Sequence, residues 1–417
     1  MSANFNTDEL VPPQWMDKAF FERALGSFCH DNGVIVKNFE SKPATKVGDH
    51  FASIMFRVMI EYDSPKYKKI GERMSVILKT VPVMEGVKAD FLKDSSAFRT
   101  EMQMYGKVLP EMERVLAASG DNTILGPRLI YQTSDPAPII IMEDISVLGY
   151  EMTEKTLGFD DAKMVASRLA KFHAASMYLQ ANGMDLSNFT DSWIMSKVPG
   201  SDDTVVESFM LPTIDLLVEV VGEWEGDWSH VIEKLKNTRA TMAEKLRNVY
   251  LGKNERTFSV LNHCDFHSKN MMFKKTEGKI TELLLLDFQF CLWNSCSIDL
   301  AYFNFMVCNA EARERRAEMM QYYYDEFSGT LKKLGYLGRI PTLLDINIDY
   351  LKNGIIELML TTGMMMLLFA DFSQIKTEEM FDMTDPLAMH RITMRNPEYT
   401  KIMQEELKRM VGLGIVG

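Results

Sequence analysis

Four consecutive leucines, Leu283 to Leu286, end abruptly on Asp287, and this run limits the fold more than any other part of the chain. An apolar run this short reads as a strand buried on both faces, so other elements must cover it from two sides. A carboxylate at the end of such a strand is held rigidly. Upstream, Leu261–Asn270 (LNHCDFHSKN) places Asp265 five positions before Asn270 and 22 before Asp287. Strands are expected at 258–262, 271–275 and 283–287, with TEGK as the turn before the last. A loop, a short hairpin and a buried strand thus hold two carboxylates and one amide firmly in one region.

The rest of the pattern supplies the cover. Phe51–Tyr62 and Met74–Val81 are rich in β-branched and aromatic residues and read as strands, joined by the polar connection DSPKYKKIGER. A helical stretch over 88–118 follows, with Pro110 expected to break or kink it. Two short strands, 129–132 and 138–143, flank the turn TSDPA. After Asp144 the character changes. Asp160 or Asp161 is expected to cap a helix running to about Leu179, with Val165, Leu169, Phe172 and Met177 at helical spacing. Further helix is expected over 205–251, and almost throughout from Ile298 onward. The reading is an α+β chain with a small β-rich lobe, 1–143, and a large mostly helical lobe, 144–417. A cleft between two lobes is a natural ligand site.

Composition narrows the partners. The 417 residues carry a net charge of −12, which argues against a nucleic-acid partner, since phosphate backbones call for basic faces. Five cysteines (Cys29, Cys264, Cys291, Cys296, Cys308) form no CxxC pair and no disulfide framework. The opening MSANFNTDELVPPQWMDKAF lacks a basic segment followed by an apolar one, so no signal peptide is expected and the cytoplasm is the default location. Gly354–Ala370 is apolar but short of the roughly 20 residues a bilayer needs and contains Glu357, so it reads as a buried helix and not as a membrane span.

Two carboxylates and an amide in this order suit phosphoryl transfer. One carboxylate, Asp265, accepts or orients the proton of an attacking hydroxyl, while Asp287 and Asn270 hold Mg²⁺ against the phosphates of ATP. The spacing of Asp265 to Asn270 equals that of the kinase catalytic loop. Lys79 lies in the strand MSVILKTV and precedes a helix carrying Glu101, the pair that would orient a lysine on the α- and β-phosphates; Glu111 and Glu113 share that region. No GxxxxGK[ST] occurs, which excludes the P-loop NTPases. No GxGxxG precedes Lys79; Gly48 alone stands before the first strand, so Ser53 and backbone amides would cover the phosphates. Gln289 stands where the DFG motif has glycine, and no Ala-Pro-Glu follows. Both departures disfavour a protein kinase with a mobile activation segment.

The segments GDHFASIMFRV, VILKTVP, FRTEMQMY, IIIMEDI, LAKFHAAS, LNHCDFHSKNMMF, LLLLDFQF and SIDLAYF resemble the choline kinase and aminoglycoside phosphotransferase superfamily, and within it the ecdysteroid-kinase-like group. The resemblance spans Gly48 to Phe303 and implies a bilobal protein-kinase-like fold. It implies an ATP- and magnesium-dependent kinase acting on a small-molecule hydroxyl, a steroid in the ecdysteroid members. By similarity Asp265 is the catalytic base, Asn270 and Asp287 the metal ligands, and Lys79 the phosphate contact steadied by Glu101. Met142–Ile145, including Glu143, is the hinge that reads adenine through its backbone. Asp299 ties the following helix back to the catalytic loop.

His263 and His267 flank Asp265 and read as braces of the loop, His173 as a satisfied core histidine, and Cys264 as a small packing residue where many relatives have glycine. The methionine clusters at 359–366 and 380–394 read as core filler or as the lining of an apolar acceptor pocket. A choline or ethanolamine site would want an aromatic and acidic cage, to which Trp224, Trp228, Glu223 and Glu225 would contribute. Two further alternatives are a non-catalytic binder of nucleotide or ligand, and a metallohydrolase built on HCDFH with ligands drawn from His30, His50, His173, His230 and His390. Oligomeric state is not legible.

Overall fold

A computed structural model describes residues 11–44, 53–82, 96–153, 156–198, 201–254, 256–369 and 387–417. Gly48, His50, the start of the helix expected from Lys88 and the methionines at 380 and 383 lie outside the described residues. The chain divides into two compact units. The first comprises Met1–Pro110, Ile124–Glu151 and Leu284–Gln289, and the second Glu111–Thr123, Met152–Leu283 and Phe290–Gly417.

The first unit is built on an antiparallel sheet of β1 (Ile35–Pro43), β2 (Ile54–Ser64), β3 (Lys69–Thr80), β4 (Leu129–Thr133) and β5 (Ile139–Glu143), in the order β1-β2-β3-β5-β4. Opposed residues share a face, so the register sorts the side chains. Phe56 pairs with Leu78, and Leu78 with Ile141. These residues lie in one buried core with Phe20, Phe21 and Leu25 of α1 (Lys18–Cys29). The alternate positions form the opposite face. Arg57 pairs with Ile77, and Lys79 with Met55 and Ile140, so Arg57, Ser75 and Lys79 stand on one side of the sheet, away from α1. Strand alternation alone therefore separates an oily face from a chemically equipped one. α1 starts where the Asp17 side chain accepts from Phe20 N, and it ends at His30 in the left-handed conformation.

The connection DSPKYKKIGER forms the exposed end of the β2–β3 hairpin: Pro65–Tyr67 make a 3₁₀ turn, and β3 begins at Lys69. Of the break or kink expected at Pro110, the break is corrected. α2 (Ala97–Gln103) passes through a π-turn at Met104–Val108 directly into α3 (Leu109–Ala118). Proline interrupts the bonding pattern of the preceding turn and crowds the carbonyl four residues back, and a π-turn at that point makes the extra room.

The second unit is mainly helical. It contains α4 (Phe159–Ala181), α5 (Leu211–Gly222), α6 (Ser229–Tyr250), α7 (Ser297–Tyr302), α8 (Ala310–Glu314), α9 (Arg316–Lys333), α10 (Leu343–Lys352), α11 (Ile355–Gly363), α12 (Ala388–Thr393) and α13 (Pro397–Gly412). After the short β6 (Glu151–Met152), its strands are β7 (Val260–Asn262), β8 (Met271–Thr276), β9 (Lys279–Leu285) and β10 (Leu292–Asn294); β7 pairs antiparallel with β10. α4 begins after Gly158, without a side-chain cap, so Asp160 and Asp161 occupy its first turn instead of capping it. There they favour the positive end of the helix dipole. α11 is buried along its whole length, and its Glu357 forms an ion pair with Arg409 of α13. Among the described residues no helix is long and apolar enough to cross a membrane.

The face assignment is testable. Phe56→Ala, at a fully buried site, should cost about 3–5 kcal/mol, read as a lower midpoint of urea unfolding. Ile70→Ala, at a position 84% exposed, should stay within about 0.5 kcal/mol of the parent. Equal midpoints for the two variants would refute the sheet register.

Candidate active site

Lys79 is a deeply enclosed charge of the first unit, with a side chain only 3% exposed. Its Nζ lies 2.6 Å from Glu101 Oε2 and 2.5 Å from Asp287 Oδ1. Burial works against the ammonium, but the charges of Asp287 and Glu101 outweigh it and hold the lysine pKa above its ordinary range. Glu101, the more buried of the two carboxylates, is pushed up to about 7: burial is the main cause, Asp287 adds to it, and Lys79 opposes it. Two carboxylates against one ammonium leave an excess of negative charge. That excess, with oxygen donors on Asp287, is the environment a hard divalent cation fits.

Asp287 leaves β9 with φ of 62°, a left-handed conformation that aspartate tolerates better than most residues. The next residue locks the turn. Phe288 packs edge-on against Tyr105 at 5.5 Å, and Leu285 N–H donates to Leu125 O. Gln289 Nε2 donates to the second Asp287 oxygen at 3.3 Å.

At the exit of β5, Asp144 fixes the segment 142–145. Its carboxylate accepts from Arg57 Nε (2.8 Å), Ser75 Oγ (2.6 Å), Ser146 Oγ (2.6 Å) and Ser146 N–H (3.2 Å). Burial would raise its pKa, but these hydrogen bonds and the Arg57 charge hold it below the usual range. Glu143 turns its side chain to Arg128 N–H and its own N–H to Arg128 O. Ser53 is buried immediately before β2, one position from Ile54, which pairs with Thr80.

In the second unit the catalytic-loop candidates are held from behind. Asp299, fully buried at the start of α7, accepts from His263 N–H at 2.6 Å and Cys264 N–H at 2.8 Å. Its own N–H donates to Asn262 Oδ1. His173 of α4 lies between Asp299 Oδ2 (3.1 Å) and the Tyr323 hydroxyl (2.8 Å), while Ser176 Oγ accepts from Leu261 N–H. Cys264 adopts φ of 61°, the conformation glycine takes at no cost. This backbone presents Asp265. Asn270 Nδ2 donates to Asp265 Oδ2 at 2.8 Å, and His267 Nε2 lies 3.3 Å from Oδ1. Burial would raise the Asp265 pKa, but His267, His263 and Asn270 together hold it below the ordinary range. The amide nitrogen of Asn270 is thus committed to Asp265, which leaves its carbonyl oxygen for another partner.

The model of the ecdysteroid kinase-like family matches residues 47–336, more than half of the chain. The chain belongs to the ecdysteroid kinase-like family. It is a small-molecule kinase that phosphorylates a hydroxyl group, and its α+β architecture is protein-kinase-like. No curated protein matches it by sequence. Among solved structures, an ethanolamine kinase of Plasmodium vivax aligns at 14% identity over 88% of this chain and 84% of its own, with a TM-score of 0.38. A microcompartment-associated aminopropanol kinase aligns at 12% identity over 91% and 97%, with a TM-score of 0.40. The macrolide 2′-phosphotransferase of Brachybacterium faecium aligns at 12% over 90% and 98%, with 0.39. These likenesses are too loose to decide either fold or chemistry.

In this kinase Lys79, Glu101 and Asp287 come together in the first unit, and Asp265, His267, Asn270 and Asp299 in the second. Asp144, Asn262 and Gln289 carry structural roles that the sequence reading missed. A polar residue at the end of an apolar strand or turn was the available signal for each. Met359, Met365, Met366 and Met394 are fully buried and serve as core. Trp224 and Trp228 meet edge to face at 5.0 Å, but Glu223 is paired with Arg395 at 2.5 Å and Lys408 lies over the Trp228 ring. Among the described residues no three of His, Cys, Asp and Glu cluster as metal ligands.

Asp299→Ala should cost about 3 kcal/mol or more by leaving two buried N–H groups without an acceptor, and Asp299→Asn clearly less, both read from urea unfolding. The Glu101 shift has a definite sign. Its folded pKa lies above the reference value of 4.5, so its stabilising contribution is complete below that pH and is lost as the pH rises toward 7. Glu101→Gln should flatten the fall in urea midpoint between pH 5 and 7.5; parallel slopes for the two proteins would contradict the assignment.

Proposed function

We propose that this kinase transfers the γ-phosphoryl group of ATP, in the presence of magnesium, to a hydroxyl of an apolar acceptor of the ecdysteroid class. The reading is carried by the pairing of Lys79 with Glu101 and Asp287 in the first unit, and by an Asp265 kept ionised by His267 and Asn270 in the second. Lys79 donates to phosphate oxygens, and Glu101 keeps it aimed. The hinge reads adenine through the Glu143 carbonyl and the Ile145 N–H, held in place by the Asp144 clamp. Asp287 and Asn270 are the residues that would hold magnesium, which would supply positive charge against the β- and γ-phosphates.

Asp265 orients the acceptor hydroxyl and takes its proton. A carboxylate below its ordinary pKa is a weak base, so orientation is the larger share of its contribution and the proton leaves late, as a loose phosphoryl-transfer transition state permits. His267 holds one carboxylate oxygen and Asn270 the other, which restricts rotation about the Cβ–Cγ bond. An apolar acceptor is favoured over choline or ethanolamine because Glu223 and the Trp228 ring, candidates for a cationic cage, are already engaged by Arg395 and Lys408.

The decisive assay offers the purified protein γ-labelled ATP, magnesium, and ecdysteroids, choline, ethanolamine and plant glycosides. Label on the steroid is expected, and Asp265→Asn should lower kcat by about 10²–10⁴ with an unchanged melting temperature. Transfer to choline or ethanolamine alone would replace the acceptor assignment. Near-normal turnover by folded Asp265→Asn would remove Asp265 from its role.

A further inference from the structure

The amide of Gln289 has one half in use and one half idle. Its Nε2 donates to Asp287 Oδ2 at 3.3 Å, while its Oε1 is buried and accepts no hydrogen bond; the residue is only 7% exposed. A buried amide oxygen without a donor costs about 1–3 kcal/mol, so its retention calls for a reason. The orientation itself follows from electrostatics. The reverse placement would set the amide oxygen against the Asp287 carboxylate, oxygen facing oxygen, with no proton between them.

We infer that Gln289 is a further oxygen ligand for the nucleotide-bound divalent cation, beside Asp287, and that its amide turns over to supply Oε1 when the cation arrives. The inference rests on the reading of Asp287 as a cation ligand. Amide nitrogen and oxygen are nearly equal in size, so the turn exchanges them without displacing neighbours. Oxygen ligands on adjacent vertices of an octahedral magnesium stand about 3 Å apart, given bonds of 2.0–2.1 Å. The separation between the Gln289 amide and Asp287 Oδ2 is already near that value. Before the cation binds, the N–H takes its place as the positive neighbour of Oδ2.

Two features favour glutamine here. The backbone cannot drift, because Phe288 is wedged against Tyr105 and Gly126; a Cβ on Gly126 would come within 3.1 Å of the Phe288 ring. The local charge is already in negative excess, with Glu101 and Asp287 against Lys79. A neutral oxygen adds coordination without adding a third carboxylate, and a glycine at this position would add none.

The test uses Mn²⁺ as a paramagnetic probe, titrated into the full chain with a non-hydrolysable ATP analogue and followed by loss of the free-ion resonance. Gln289→Leu should weaken Mn²⁺ retention about tenfold, Gln289→Glu should retain or tighten it, and Asp287→Asn should weaken it more than Gln289→Leu does. Melting temperatures confirm that each variant is folded. If Gln289→Leu binds Mn²⁺ like the parent while Asp287→Asn does not, the glutamine is no ligand. Equal weakening by Leu and Glu would mean a packing role, and would also overturn the inference. Unchanged retention in Asp287→Asn would remove the underlying cation reading, and this inference with it.

Discussion

An ammonium group 3% exposed to water does not stay charged alone. The penalty of several kcal/mol for its desolvation must be offset by close carboxylates. Lys79 therefore constrains much of the first unit. Its strand register sets it on the face opposite α1, its neighbours Met55 and Ile140 exclude water, and α2 must bring Glu101 to within 2.6 Å. The turn after β9 must bring Asp287 equally near, even through a left-handed backbone. Removing either carboxylate would take away part of the charge that offsets the burial of the ammonium.

The second unit meets a different demand, which is to fix a loop without covering its reactive side chain. It does so through the backbone. Asp299, Asn262, His173 and Ser176 bind one another or main-chain groups, and each is buried. Such a network stabilises a single loop geometry only when its members are satisfied. Here α4, α7, α9 and β7 each contribute. Distributing the support over four elements ties the geometry of Asp265 to the packing of the helical core.

The parts of this design that were legible in the sequence are those written at short range. Asp265, Asn270 and Asp287 betray themselves by spacing, and Lys79 by its place in an apolar strand. Asp144 does not, because its partners Arg57 and Ser75 lie 87 and 69 positions away and their meeting depends on register. β1 was missed for a related reason: IVKNFESKP is largely polar and ends in proline, as suits an edge strand, so it lacks the apolar signature of the central ones. Pro110 does not break its helix because a π-turn, which propensity does not foretell, accommodates it. The buried methionines resist interpretation from sequence, since the same flexible side chain fills cores and lines pockets.

The left-handed Cys264 has a consequence for handling the enzyme. A thiol one residue from a reactive carboxylate would ordinarily be a liability to oxidants and alkylating reagents. Here the side chain is buried and its pKa is raised well above the ordinary thiol value, chiefly by that burial, so almost no thiolate forms. Cys291, Cys296 and Cys308 are buried as well, and Cys29 alone is partly accessible. The folded protein therefore offers reagents a single thiol, far in sequence from the chemistry, and the remaining four become visible only when the helical unit opens. Thiol labelling is thus a built-in gauge of whether the catalytic loop is in place.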